Sequence, residues 1–284
     1  MKIGVGLPNQ VRNVRPVVIP EWASRAEKAG FSTLGSVGRV AYPGVMDTVA
    51  LAASAGATST IGLISNILIA PAWPPVLLAK EAAGIDAVSG GRLTLGLGLG
   101  GRPDDFVVDG MGATGTGKRL DHDLEVYHSV WRGDPVGGGS NPAVPIGTRQ
   151  VPLMFGGMVP AAFDRVARWG QGYIAGSVPP AMVAPAFQGV GTAWKNAGRE
   201  GRPRLVAIAY FALGDVEKGR GNVWDYYISA GDEVARLITG GILAGPMRVK
   251  TGLTEFAEIG ADEVILNPTL DDLDEIERLA DVVL

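Results

Sequence analysis

The chain has 284 residues, 46% of them hydrophobic, enough to bury a sizeable core in one domain or two. A formal net charge of −4 argues against a polyanionic partner such as nucleic acid. With no cysteine, disulfides, thiolate metal sites and cysteine nucleophiles are excluded. Met1–Pro8 lacks the apolar run of a signal peptide, and residues 61–79 are broken by Pro71, Pro74 and Pro75. These features predict a cytoplasmic protein with no membrane partner.

Lys2–Leu7 reads as the first strand. In Pro20–Ala29, Trp22, Ala23, Ala26 and Ala29 recur at helical spacing, and Gly30 closes the helix. Thr33–Val37 is a second strand, Thr48–Ala55 a helix, and Ile61–Ala70 an apolar third strand. Pro75 opens a helix that runs to Val88. Leu93–Leu99 is the fourth strand, followed by a loop of about 17 residues. The next helix carries Leu120, Leu124, Tyr127 and Trp131 along one face. Val151–Phe155, Gly172–Ala175 and Leu205–Ala212 are strands, separated by helices near Pro160–Trp169 and Pro180–Ala197. A helix ends at Glu255–Gly260, Glu263–Leu266 is the eighth strand, and Leu273–Val283 is the last helix. Gly137-Gly138-Gly139-Ser140 reads as a loop insertion. Eight apolar strands alternating with helices predict an all-parallel sheet covered on its outside. At this length, that is a closed (β/α)8 TIM barrel forming a single domain over residues 1–284.

A barrel's site lies at the C-terminal ends of its strands. His122 and His128, the only histidines, fall on the helix after the long loop and are expected on its surface. The seven lysines avoid the strand ends, which argues against a Schiff-base aldolase, and the lack of carboxylate pairs there weakens a glycosidase. A metal site finds no ligand set. Glycine is what remains. Gly96, Gly98 and Gly101 match the G-x-G-x-x-G spacing, but they lie within and just past a strand instead of opening a helix, so the dinucleotide-fold reading fails. Alternate glycines in a strand strip one face and let another group approach the backbone. Such a mouth suits a flat cofactor that brings its own reactivity.

Ser89-Gly90-Gly91-Arg92-Leu93-Thr94-Leu95-Gly96-Leu97-Gly98, with Gly101-Arg102 and Lys118-Arg119-Leu120-Asp121, resembles the bacterial luciferase-like oxidoreductases. So does Phe155-Gly156-Gly157 followed by Arg165 to Ile174. The resemblance spans nearly the whole chain. It implies a barrel that binds FMN, or the deazaflavin F420, at the strand ends. Ser65, Asn66 and Ile67 would form a bulge under the isoalloxazine, often through a non-prolyl cis peptide. Gly98, Gly100, Gly101 and Arg102 would line the cofactor, with the glycines sparing the ring system from collision. Phe155, Gly156, Gly157, Met158 and Val159 would hold the ribityl phosphate.

Many members carry an Asp-His pair after the second strand, where this chain has Gly35-Ser36-Val37-Gly38-Arg39. Gly38 would then border the cofactor, and Arg39 would stabilise a flavin anion or an anionic substrate as the candidate catalytic residue. Tyr42, Trp73, Phe106 and Trp224, with Tyr226 and Tyr227, could close the substrate pocket. Residues 102–117 read as a mobile lid. Three readings follow: a monooxygenase or related oxidoreductase using reduced FMN and O2 on a small apolar substrate, an F420-dependent hydride-transfer enzyme, and a non-catalytic flavin-binding barrel. A flavin reductase and a second copy of the chain are the expected protein partners.

Overall fold

The computed structural model describes residues 1–284. Eight strands close on themselves: β1 (Lys2–Gly6), β2 (Thr33–Ser36), β3 (Gly62–Ser65), β5 (Leu93–Gly98), β6 (Leu153–Phe155), β7 (Gly172–Ile174), β8 (Arg204–Ala212) and β10 (Glu263–Pro268). All are parallel, and β10 pairs with both β1 and β8, so no edge is left. The two remaining strands are short extensions. β4 (Leu68–Ile69) pairs with β5, and β9 (Leu243–Ala244) pairs with the C-terminal half of β8.

The helices wrap the barrel because each is apolar on one face. α1 (Val18–Ala29) buries Ile19, Trp22, Ala23 and Ala26, and the Trp22 Nε1 donates to the Gly6 carbonyl at 3.0 Å. Gly30 ends it in the left-handed conformation, φ 98°. α2 (Asp47–Ala57), α3 (Pro75–Val88), α4 (Thr116–Arg132), α5 (Pro160–Trp169) and α6 (Pro180–Asn196) follow in turn. The chain then adds α7 (Val216–Tyr227), α8 (Asp232–Gly240), α9 (Pro246–Glu258) and α10 (Asp274–Val283).

Three differences from the sequence reading bear on the site. The third strand breaks at Asn66–Ile67, which is joined by a cis peptide, so β3 and β4 are separate pieces. Residues 213–254, left without elements in the sequence reading, hold α7, α8, β9 and most of α9. Two glycines dilute the helical pattern of α7. Gly219 is needed because a Cβ there would lie 2.4 Å from Thr269 Oγ1. Finally, the Ser89–Arg92 part of the family-like motif sits at the start of β5, opposite the strand C-termini. The Arg92 guanidinium donates to the carbonyls of Ser89, Ile61, Ala55 and Thr58, tying the base of the barrel together. That part of the motif is scaffold.

Candidate active site

Side chains alternate along each strand, so the lumen fills in layers. Ile64, Met154, Ile174, Val206, Ile208 and Ile265 form its apolar plug. Two residues further toward the C-terminal mouth stand Asn66, Gly156, Gly176, Tyr210 and Asn267, with Gly98 beside them on β5. Glycine therefore occupies the β5–β6–β7 half of the mouth, while amide and aromatic side chains occupy the rest.

In the glycine half, the lumen is roofed by Ile67. A Cβ on Gly98 would meet Ile67 Cδ1 at 2.3 Å, one on Gly156 would meet it at 2.6 Å, and one on Gly96 would strike the Ser65 carbonyl at 2.0 Å. These glycines exist to seat Ile67 and the β3 bend. The expectation that they directly spare a ring system from collision is corrected accordingly. Ile67 itself is half-buried, so it stays partly accessible to solvent. Gly101 and Gly176, at the rim of this half, have no atom within 4 Å of a built Cβ. The backbone N–H groups of Gly157, Met158 and Val159, ahead of α5, donate to no protein acceptor. Met158 and Val159 are 52% and 53% exposed.

The other half is latched shut. Arg39, 3% exposed at its side chain, pairs with Asp105 at 3.3 Å and with Asp104 at 2.8 Å. It also donates to the Tyr226 carbonyl and to Ser229 Oγ. Asp105 is fully buried and accepts from the backbone N–H groups of Val40 and Ala41 at 2.9 and 3.0 Å. The loops after β2 and β5 and the end of α7 are thus drawn to one guanidinium. Arg39 was expected to face a cofactor or substrate as a free cation; instead its donors are committed to the latch. The loop expected to be a mobile lid is anchored at Asp105, and again where Arg119 donates to the carbonyls of Pro71 and Gly112.

Around the latch the tyrosines stack edge to face: Tyr42 on Tyr226, Tyr226 on Tyr227, and Tyr227 on Tyr210. Burial pushes the Tyr210 and Tyr226 hydroxyls well above the ordinary tyrosine range, so both stay protonated donors. Beneath the latch, Asp47 is buried, with Oδ1 accepting from the Thr48 N–H at 2.9 Å. Desolvation raises its carboxyl to about 6. Gly38 makes room for it, since a Cβ there would lie 2.2 Å from Asp47 Oδ2. Asp47 and Tyr210 escaped the sequence reading. The position of Tyr210 two residues beyond Ile208 on one strand face was the signal available for it.

Several predicted site residues lie elsewhere. Phe155 is 1% exposed in the layer between strands and helices, facing away from the lumen. Ser65 is buried, its hydroxyl bonded to the backbone of Gly96 across β3 and β5. Trp224 is half-buried on α7, off the Gly219–Val223–Tyr226 face that turns inward. Trp73 lines a cavity of about 10 Å³ with Gly38, Arg39, Asp47 and Ile69. Phe106 packs beside Gly100, which adopts φ 74°. His122 is exposed, and His128 stacks on Trp169 at 5.1 Å, so neither histidine reaches the mouth.

A flavin-type cofactor fits the glycine half. Unpaired amides precede a helix N-terminus on one side, which suits a phosphate. The accessible Ile67 offers an apolar floor, and the buried Asn66 Oδ1 and Asn267 Nδ2 lack partners nearby. The cavities lined by Tyr210 measure only about 30 and 10 Å³, too small for a tricyclic ring.

The closed parallel barrel, the bent third strand and the glycine-lined mouth define a luciferase-like (β/α)8 barrel. The chain belongs to the luciferase-like monooxygenase family, whose model matches residues 1–250, and members of that family are oxidoreductases. It is 28% identical over 179 residues to an uncharacterised protein of Mycobacterium tuberculosis, covering 51% of this chain and 61% of that protein's length. It is 35% identical over 82 residues to the oxygenase component of a flavin-dependent trigonelline monooxygenase of Acinetobacter baylyi, covering 28% of this chain and 23% of that one. In fold, it matches an F420-dependent secondary alcohol dehydrogenase solved with an F420–acetone adduct. The TM-score is 0.81 at 17% identity, over 99% of this chain and 98% of the other. It also matches the FMN-bound oxygenating constituent of 3,6-diketocamphane monooxygenase from Pseudomonas putida, with TM-score 0.74 at 14% identity over 99% and 95%. No helix is long and apolar enough to cross a membrane.

Proposed function

We propose that this chain is an FMN-dependent oxidoreductase of the monooxygenase type, acting on a small organic substrate with an apolar body. The observation that carries the reading is the partly exposed Ile67, packed on Gly98 and Gly156 and so next to the unpaired N–H groups of Gly157, Met158 and Val159. When bound, reduced FMN supplies the electrons that react with O2. The amides before α5 receive its phosphate, with the helix N-terminus adding favourable charge. Ile67, seated on Gly98 and Gly156, would offer the ring an apolar support, and the bare Gly101 and Gly176 would leave room at its edge. Asn66 and Asn267 present amide atoms free to bond ring nitrogens and carbonyls. The Arg39–Asp105 latch holds three loops over the other half of the barrel and keeps water out of it. Tyr226 and Tyr210 are held protonated by burial, and their hydroxyls are engaged with the Gly38 carbonyl and with Tyr227, which fixes that side. The likeness in sequence to a protein named as a flavin-dependent monooxygenase supports FMN over F420.

A homodimer and a separate flavin reductase complete the proposal. The adjoining outer faces of α2 and α3 expose Val49, Ala52, Gly56, Leu77, Gly84 and Val88 around Lys80, a mostly small and apolar surface suited to a second copy. Light scattering at micromolar concentration gives twice the chain mass if this holds, and the chain mass if it does not. For the cofactor, we would titrate the protein anaerobically with FMN, reduced FMN and F420. Saturable FMN or reduced-FMN binding below about 100 μM, roughly −5.5 kcal/mol, is the expected result. Preference for F420 makes the chain a hydride-transfer enzyme. Binding without turnover of any substrate favours the non-catalytic barrel.

A further inference from the structure

We infer that Arg102 is a substrate subsite for a single anionic group, a carboxylate or sulfonate carried on an apolar, ring-bearing molecule. The inference deepens the reading just proposed, naming what the cleft beside the cofactor would select.

Gly100 and Gly101 turn the chain out of β5, and Arg102 follows them across the mouth. Its guanidinium lies 5.3 Å from the Tyr226 ring centre and 5.2 Å from that of Tyr227. Tyr227 in turn shares a hydroxyl–hydroxyl bond of 3.4 Å with Tyr210, the residue directly above Ile208 in the lumen. Arg102 is therefore held over the barrel opening by two aromatic faces. No carboxylate pairs with it, and its buried Nε has no hydrogen-bond partner. The two acids nearest in sequence, Asp104 and Asp105, are both committed to Arg39. The tyrosine hydroxyls are also engaged, since Tyr226 donates to the Gly38 carbonyl.

Leaving a buried charged donor unpaired is unfavourable, and an incoming anion restores the lost bond. A guanidinium presents its Nε–H and one Nη–H as a parallel fork that matches a carboxylate or sulfonate. Cofactor phosphate has its own cradle in the Gly157–Val159 amides, on the other half of the mouth. Tyr227, half-buried beside Arg102, is the aromatic surface left for the apolar body, and one unpaired cation sets the charge at a single anion.

The test follows the Arg102 Nε–Hε resonance by ¹⁵N NMR, assigned by its loss in Arg102→Met, while benzoate, benzenesulfonate or the neutral benzamide is added. It is run on the protein alone and on FMN-saturated protein. We expect benzoate and benzenesulfonate to shift the resonance saturably, with affinity at least tenfold above benzamide, and Arg102→Met to bring benzoate down to the benzamide level. Arg102→Lys keeps the charge but loses the fork, and falls between. Equal affinities for benzoate and benzamide, no saturable shift, or a preference that survives Arg102→Met would overturn the assignment. So would competition in which FMN displaces benzoate, because Arg102 would then hold the cofactor phosphate. Should Arg102→Met fail to fold, the probe comparison on the unmodified chain and on Arg102→Lys still decides. Failure of FMN to bind contradicts the proposed cofactor and leaves the arms without FMN readable.

Discussion

The two halves of the barrel mouth are built on opposite principles. Around β5, β6 and β7 the strands end in glycine, with backbone amides unpaired and one apolar side chain, Ile67, as the floor. Around β2, β3, β8 and β10, the ends carry a buried ion pair, four tyrosines and two asparagines. The first half offers room and N–H donors. The second offers rigidity and charges that are already satisfied. On the proposed reading, a cofactor that carries its own reactivity would lie over the first, with the loops of the second beside it.

The contrast can be broken most severely at Gly96. A Cβ there would lie 2.0 Å from the Ser65 carbonyl and 2.5 Å from Ile174 Cδ1, both deep in the barrel. Gly96→Ala is expected to lower unfolding stability by about 3 kcal/mol or more and to abolish flavin binding. Chemical denaturation and a flavin titration check both, and an unperturbed variant would show that Ile67 does not depend on the glycine seat.

Breaking the latch should cost somewhat less. Asp105→Ala leaves Arg39 with Asp104 alone and strands the N–H groups of Val40 and Ala41, for a loss of about 2–3 kcal/mol. Limited proteolysis should then cut within residues 102–115, while FMN affinity in the other half changes little. Equal loss of FMN binding would mean that the halves are not separable.

Asp47 sharpens the comparison through pH. Burial raises its carboxyl to about 6, above the unfolded value near 4, so the folded chain prefers the protonated form. The stabilisation it contributes is complete below about pH 4 and is lost as pH rises through 6. An asparagine side chain at this position would keep the acceptor for the Thr48 N–H without the charge. Asp47→Asn is therefore expected to match the parent near pH 4 and to exceed it by on the order of 2 kcal/mol at pH 7.5. A stability difference that does not vary with pH would contradict this. The smallest effect belongs to Asp104→Asn. That carboxylate is 48% exposed, so loss of its pair with Arg39 should change stability by under about 1 kcal/mol in a thermal melt.

Much of the fold could be read in advance because parallel strands buried on both faces are written as continuous apolar runs, as in Leu93–Leu99 and Leu205–Ala212. Residues 213–254 resisted because Gly219 and Gly221 interrupt α7, although Asp215, whose side chain caps the Lys218 N–H, marked its start. At the site, the glycines and Arg102 were visible as strand-end residues, and Tyr226 and Tyr227 as aromatics near the pocket. The partners of Arg39 were not. Asp105 lies 66 residues away and Ser229 lies 190 residues away, and only closure of the barrel brings them together. Phe155 was misplaced because a strand in a barrel sends alternate residues outward, and its neighbours Met154 and Gly156 take the inward positions.

The most direct test of the account is amide hydrogen exchange of the whole chain with and without reduced FMN under anaerobic conditions. The account predicts added protection at residues 156–161, 66–69 and 98–101, with the latch segments 39–41 and 226–230 protected alike in both states. Protection confined to the latch, or no added protection in the glycine half at saturating FMN, would contradict it.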